Sequence, residues 1–250
     1  MYAPILVLML FSFNESKSRA NWTGFTFNWY IELFRDQRIL DALSTTFSIA
    51  LLSSLIAIIL GTAAAIGINS MKPIGKKTLM MINNIPVVNP DIVMGVSLMI
   101  LYVFLFRVIF VGQEFGYVTL LLAHLSFTTP YIILSVLPKL RQMDRNVFEA
   151  ALDLGATPVQ GFIKVVIPEI MPGIVTGALL AFTMSLDDFV VSFFTAGSGV
   201  ENLSMVIYSM SRRGINPKIN AISTLMFILV MALLYLINRT DSKKSKSEEV

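Results

Sequence analysis

The chain has no cysteine, which excludes both a disulfide framework and a thiolate metal site. It has one histidine, His124, so no imidazole cluster can hold a metal. Charge is scarce as well: Asp, Glu, Lys and Arg make up 14% of the residues, against about 25% in soluble domains. The net charge of +3 comes with no basic, aromatic-interleaved face, which argues against nucleic-acid binding. Gly75-Lys76-Lys77-Thr78 lacks the first glycine and the spacing that cradle a phosphate. Nucleophile elbow, zinc-protease helix and dinucleotide fingerprint are all missing. The chain is therefore read as no enzyme, with no metal or cofactor of its own. If it performs work, another subunit supplies the energy.

What is abundant is apolar sequence. Hydrophobic residues make up 55% of the 250, and the mean hydropathy is +0.74, as expected of a chain whose solvent is mostly lipid. The predicted fold class is all-α: one polytopic membrane domain over residues 1–250 with six transmembrane helices. Residues 2–13 are too short to cross about 30 Å of hydrocarbon and are expected to be the outer half of a first span that begins upstream. Residues 14–42 are polar and form an outer loop, with interfacial aromatics between Trp22 and Phe27. The second span, residues 44–68, offers Gly61, Ala63, Ala64, Ala65 and Gly67 for close helix approach. The third, from 79 to about 110, is interrupted at Pro86, Asn89 and Pro90. Broken helices at membrane depth belong to backbone that is buried or lines a cavity. A short outer loop (111–116) leads to a fourth span, residues 117–137, kinked at Pro130. The fifth runs from 170 to about 194. An outer segment with Gly197, Gly199 and Arg212-Arg213 precedes the sixth span, residues 219–237, which Asn216-Pro217 cap. Eleven Lys and Arg fall on the inner side of this topology and eight on the outer, the sense of the positive-inside rule. The tail at 239–250 is expected to be disordered.

Between the fourth and fifth spans, residues 139–168 read as helix, tight turn, helix. Asp144 can cap a helix running through Leu154, and Gly155 tolerates the left-handed stop it needs. Thr157, Pro158 and Gln160 make a capping box with proline at the first helical position. Pro168 is expected to end or bend this second helix. Two short helices at about a right angle make a rigid knob that another protein can grip. Lys139, Arg141, Arg145 and Lys164 mark it as cytoplasmic.

Glu149-Ala150-Ala151, then Gly155, then Ile167-Pro168, resemble the EAA loop of the permease subunits of ABC importers. Nearly the whole chain after residue 4 is similar to the C-type permease of spermidine/putrescine importers. The matching stretches are Asn21-Trp22 with Gly24-Phe25-Thr26, residues 90–94, residues 185–192, residues 207–210 and residues 217–221. The family has a longer lead into its first helix. The resemblance implies a type I ABC importer permease fold, multi-pass in the plasma membrane (the inner membrane of a Gram-negative cell), with coupling loop and C-terminus cytoplasmic. It implies three partners: a homologous permease subunit, an ATPase dimer that carries the ATP and Mg, and an extracytoplasmic polyamine-binding protein. Glu149, Ala150, Ala151, Gly155, Ile167 and Pro168 would couple to the ATPase. The residues suit that role: two alanines offer a smooth face, Glu149 can reach a basic group, and a stiff elbow transmits displacement.

A polyamine path needs carboxylates for ammonium groups and aromatic or apolar surface for methylenes. Asp187 and Asp188 lie in the fifth span, toward its outer third. A charge at bilayer centre costs roughly 2.5–3.5 kcal/mol even on lenient scales, so such residues usually face water or a partner. On a continuous helix neighbours point about 100° apart. One aspartate is thus expected toward the path and the other toward the companion subunit; an interfacial pair solvated by headgroups is the alternative. Asp91 follows the break in the third span. It is either a substrate residue or a first-turn acid favoured by the macrodipole. His124 shares a face with Thr128 and Tyr131 and reads more simply as a satisfied packing group. Two other functions stay open: an ABC permease for another small cation or organic solute, and a proton-coupled carrier that needs no ATPase.

Overall fold

The computed structural model describes residues 3–16, 21–109, 114–212 and 217–245. Among them the chain is helical, with one isolated antiparallel bridge between Asn14 and Phe25. The helices are α1 (Ala3–Phe11), α2 (Asn28–Arg35), α3 (Gln37–Ser70), α4 (Pro73–Val88), α5 (Asp91–Val108), α6 (Tyr117–Gln142), α7 (Arg145–Asp153), α8 (Pro158–Gly161), α9 (Ile167–Asp187), α10 (Val190–Thr195), α11 (Leu203–Arg212) and α12 (Pro217–Ser245). A π-turn, Phe162–Val166, joins α8 to α9 without a gap. Among the described residues four helices are long and apolar enough to cross a membrane: Gln37–Ser70, Asp91–Val108, Tyr117–Gln142 and the joined Pro158–Asp187; Pro217–Ala232 is a shorter apolar helix.

The chain divides into two compact units, residues 1–43 with 203–250, and residues 44–202. In the first, Trp29, Leu33, Ile39, Ala42, Leu203, Val206, Ala221 and Ile222 form a buried core. The predicted outer loop is thus largely folded. Asn14 holds it: its Nδ2 donates to Asn21 O at 2.9 Å, its Oδ1 accepts from Thr23 N at 3.1 Å, and its carbonyl accepts from Trp29 Nε1 at 2.7 Å. Lys218 pairs with Asp36 at 3.2 Å and Glu32 at 3.6 Å.

The second unit is built around α6, which packs against α4, α5, α9 and α10. Its core runs through Ala57, Ala65, Ile132, Val136, Leu137, Ile170 and Ala181. Small residues set the spacing, as in lipid-embedded bundles generally. A Cβ on Gly173 would stand 2.7 Å from Ser135 O, and one on Gly177 3.0 Å from Ile132 Cα, so α9 lies directly on the α6 backbone. Gly61 is equally tight against Ile132, at 2.7 Å, whereas nothing lies within 4 Å of a Cβ on Gly67. The expectation of close approach therefore holds at the first glycine and not at the second.

Several boundaries differ from the sequence reading. The second span begins at Gln37, inside the predicted loop. In the third, α4 continues through Pro86; the interruption is confined to Asn89 and Pro90, both extended with ψ of 141° and 139°. A residue before proline is driven out of the helical region by the ring, so Asn89 stops the helix where Pro86 does not. Pro130 and Pro138 both lie inside a continuous α6. Pro168 does not end the second helix of the knob. The π-turn just before it widens the register, the local adjustment such turns supply, and the helix runs on to Asp187. The knob is therefore one short helix and the start of a long one. The fifth span is interrupted at Asp188-Phe189. The tail predicted disordered from 239 is helical to Ser245. Arg213, Asn216, the Arg145 side chain and residues 110–113 and 246–250 lie outside the described residues.

Candidate functional site

The two helix breaks of the second unit meet. Asp91 opens α5 after the first break; Asp187 closes α9 and Asp188 occupies the second. All three line one cavity of about 320 Å3. Phe127 and Tyr131, one turn apart on α6, and Phe189 supply aromatic surface, while Met94 and Met184 add flexible apolar surface. Pro86 and Val190 complete much of the wall. The expectation that Asp187 and Asp188 diverge by about 100° is thus corrected. That angle holds only along an unbroken helix, and the chain leaves the helix between them.

The carboxylates differ in setting. Asp91 and Asp187 are exposed, whereas the Asp188 side chain is 9% exposed. Asp188 Oδ1 accepts from Val191 N at 3.2 Å; its Oδ2 accepts from Ser192 N at 2.8 Å and from Ser192 Oγ at 2.7 Å. It thereby caps the first turn of α10, and Asn202 Nδ2 donates to the Asp188 carbonyl at 2.7 Å. His124 lies behind this cap, with Nδ1 2.6 Å from Ser185 Oγ and Nε2 3.0 Å from Ser192 Oγ. Ser185 and Ser192 thus join Asp188 in one network. Thr176 and Thr183 instead bond carbonyls of their own helix, Pro172 O at 2.9 Å and Leu179 O at 2.8 Å.

The elbow at the other end of the Pro158–Asp187 segment is closed locally. Asp144 accepts from Asn146 N at 3.0 Å. Gly155 has φ +89°; its N–H reaches Leu152 O at 2.9 Å and that of Ala156 reaches Ala151 O at 3.1 Å, the paired bonds of a Schellman stop. Thr157 and Gln160 exchange bonds of 3.1 and 3.3 Å, the predicted capping box. The Phe148 ring of the first helix packs on the second, standing 3.1 Å from where a Cβ on Gly161 would lie. Glu149, Ala150, Gly155 and Pro168 are exposed, and Ala151 and Ile167 half-buried. On the same elbow Val147, Leu154 and Val159 are exposed at 49, 90 and 66%.

Sequence reasoning missed Phe127, Phe189, Met94, Met184 and Asn202. Phe127 had a usable signal: it stands at i+3 from His124 and i−4 from Tyr131, on the polar face of an otherwise apolar span. Met94 and Met184 had the same signal, at i+3 from Asp91 on α5 and i−3 from Asp187 on α9; Phe189 and Asn202 lie outside helices, where no helical period describes them.

Membrane-length helices, small-residue packing, an acidic cavity where two helices break and a stiff exposed elbow define a polytopic helical permease. The model for binding-protein-dependent transport system inner membrane components matches residues 57–240, and the chain belongs to that family. It is 39% identical over 249 residues to the putrescine transport system permease protein PotI of Escherichia coli K12, covering 98% of this chain and 89% of that one. It is 37% identical over 236 residues to the spermidine/putrescine transport system permease protein PotC of Haemophilus influenzae, covering 94% and 90%. In fold it resembles a bacterial ABC transporter involved in import of the acidic polysaccharide alginate, with TM-score 0.71 at 16% identity over 98% of this chain and 90% of that one. It also resembles the inward-facing methionine transporter MetNI, with TM-score 0.66 at 21% identity over 86% and 97%. The chain is a membrane-embedded permease subunit of an ABC importer. A proton-coupled carrier has no support in this family.

Proposed function

We propose that this subunit, with a homologous one, forms the path by which putrescine or spermidine is imported. The observation that carries the reading is the cavity in which Asp91, Asp187 and Asp188 stand among Phe127, Tyr131, Phe189 and two methionines. A polyamine presents ammonium groups joined by methylenes. Carboxylates offset the positive charge, and ring faces each add about 0.5–2 kcal/mol of cation–π attraction depending on desolvation. The methionine side chains adapt to the methylene stem. The similarity to PotI and PotC, whose names state putrescine and spermidine/putrescine transport, supports the same cargo.

In this reading ATP and Mg are bound by a partner ATPase dimer, and an extracytoplasmic binding protein delivers the polyamine. The chain crosses the plasma membrane six times with elbow and C-terminus in the cytoplasm. Glu149, Ala150, Ala151 and Gly155 dock in the ATPase, and Ile167-Pro168 joins the elbow to its span. Closure of the ATPase displaces the elbow as a body and rocks α9 against its neighbours. The test is ATP hydrolysis by the reconstituted complex with its binding protein. Putrescine or spermidine should stimulate it and neutral amino acids should not; stimulation by neither polyamine overturns the cargo.

A further inference from the structure

The hydrogen bonds behind Asp188 have one consistent direction. Asn202 Nδ2 lies 2.7 Å from the Asp188 carbonyl, which can only accept, so the amide orientation is settled. The same nitrogen lies 2.8 Å from Ser192 Oγ and donates its other hydrogen there. Ser192 Oγ has one hydrogen, and Asp188 Oδ2 at 2.7 Å takes it. Oγ must then accept from His124 Nε2 at 3.0 Å. Nε2 also stands 3.6 Å from Asp188 Oδ2, too far for a hydrogen bond; in the neutral imidazole, which carries one N–H, Nδ1 is then the acceptor and Ser185 Oγ donates to it at 2.6 Å. Ser53 Oγ of α3 stands 3.3 Å from both Ser185 Oγ and Ala50 O, which compete for its one hydrogen. Donors therefore run from Ser185 through His124 and Ser192 to Asp188. Each bond polarises the next, so such a chain is stiffer than its separate links. His124 is 1% exposed and is the link on which α6, α9 and α10 converge.

We propose that His124 is a positioning residue of the acidic cavity: neutral, protonated on Nε2, it orients Asp188 through Ser192 and holds open the break that lets Asp187 and Asp188 share one wall. The proposal rests on the polyamine reading for its transport consequence and on the hydrogen bonds for its chemistry, and one experiment separates the two. The chain has a single histidine, so nitrogen-15 labelling of histidine in this subunit, in the full complex in lipid nanodiscs, gives one imidazole; its absence from the His124→Gln complex assigns it. Putrescine uptake is measured in parallel on complexes matched for membrane abundance and substrate-free ATP hydrolysis.

The expected spectrum is a neutral ring protonated on Nε2 from pH 6 to pH 8, changed by Ser192→Ala and by Asp188→Asn. His124→Leu should raise the putrescine KM about ten-fold, the scale of one lost buried hydrogen bond, with maximal rate held. His124→Gln, which can donate to Ser192, should stay within about two-fold of wild type. His124→Leu added to Asp188→Asn should cost little beyond Asp188→Asn alone, because both act through one line. An imidazolium, a ring protonated on Nδ1, an unchanged KM in His124→Leu, a Gln variant as impaired as Leu, or additive effects would each overturn the proposal. If the wild-type complex moves neither putrescine nor spermidine, the cargo reading fails. The tautomer and its response to Ser192→Ala and Asp188→Asn then decide the proposal alone.

Discussion

The Pro158–Asp187 segment is closed in opposite ways at its two ends. At the elbow the hydrogen bonds described above all lie within residues 144–161: an Asp cap, a Schellman stop and a capping box. At the cavity the break is closed by Ser192, Asn202 and His124, the last of these 64 residues from Asp188 in the chain. The two closures suit different tasks. An elbow whose hydrogen bonds are local keeps its shape when whole helices move, and Phe148 and Phe162 seat it on the core of the second unit, so it can pass on a push. A break tied to α6 and α10 changes when those helices shift, so the cavity it shapes responds to their relative position.

Variants at and between the two ends sharpen this contrast. The most far-reaching effect, on the fold itself, is expected where α6 and α9 touch. Gly173→Leu puts a branched side chain where a Cβ alone is 2.7 Å from Ser135 O; overpacking of this kind costs about 1–3 kcal/mol or more. Complex recovered from the membrane should fall several-fold, judged by quantitative blotting against wild type. Next comes Asp187→Asn with Asp188→Asn, which removes two of the cavity's three carboxylates. Polyamine uptake should drop by an order of magnitude or more at normal complex abundance, and unchanged uptake would take the pair out of the path.

At the elbow, Gly155→Val places a β-branched residue at φ +89°, a left-handed conformation that costs roughly 1–2 kcal/mol for a residue with a Cβ. Membrane insertion should persist while substrate-stimulated ATP hydrolysis is lost; normal stimulation would remove the elbow from coupling. Thr157→Ala deletes one half of the capping box and should cost about 1 kcal/mol, seen as faster hydrogen exchange confined to residues 157–161. Smallest of all, Gly67→Ala meets nothing within 4 Å and gains up to about 1 kcal/mol of helix propensity, so thermal stability of the detergent-solubilised chain should hold or rise. A loss there would mean that Gly67 faces a partner.

The elbow was legible because its grammar is local. Asp144, Gly155, Thr157, Pro158 and Gln160 each act on backbone groups a few residues away, and each does what its side-chain chemistry predicts. Of the two outcomes expected at Pro168, an end to the helix does not occur, because the preceding turn can widen and Phe162–Val166 does so. The three acids were legible as expensive charges in apolar sequence. Their meeting was not, because an angle drawn along an unbroken helix fails once the helix stops at Asp187. His124 was rightly read as satisfied, but its partners Ser185, Ser192 and, through Ser192, Asn202 come from three places in the chain.

The amino-acid sequence by itself determined the solvent, the helical class, the small-residue seam at Gly61 and the caps of the elbow. These follow from composition, period and capping, which act over a few residues and need no fold to operate. Only the tertiary structure decided that the break at Asn89-Pro90 faces the break at Asp188-Phe189, and that one histidine ties the second break to its neighbours. Which buried polar groups share a hydrogen bond depends on helix packing across many residues. In apolar surroundings an unmet donor or acceptor costs too much to leave alone, so that packing selects the partners.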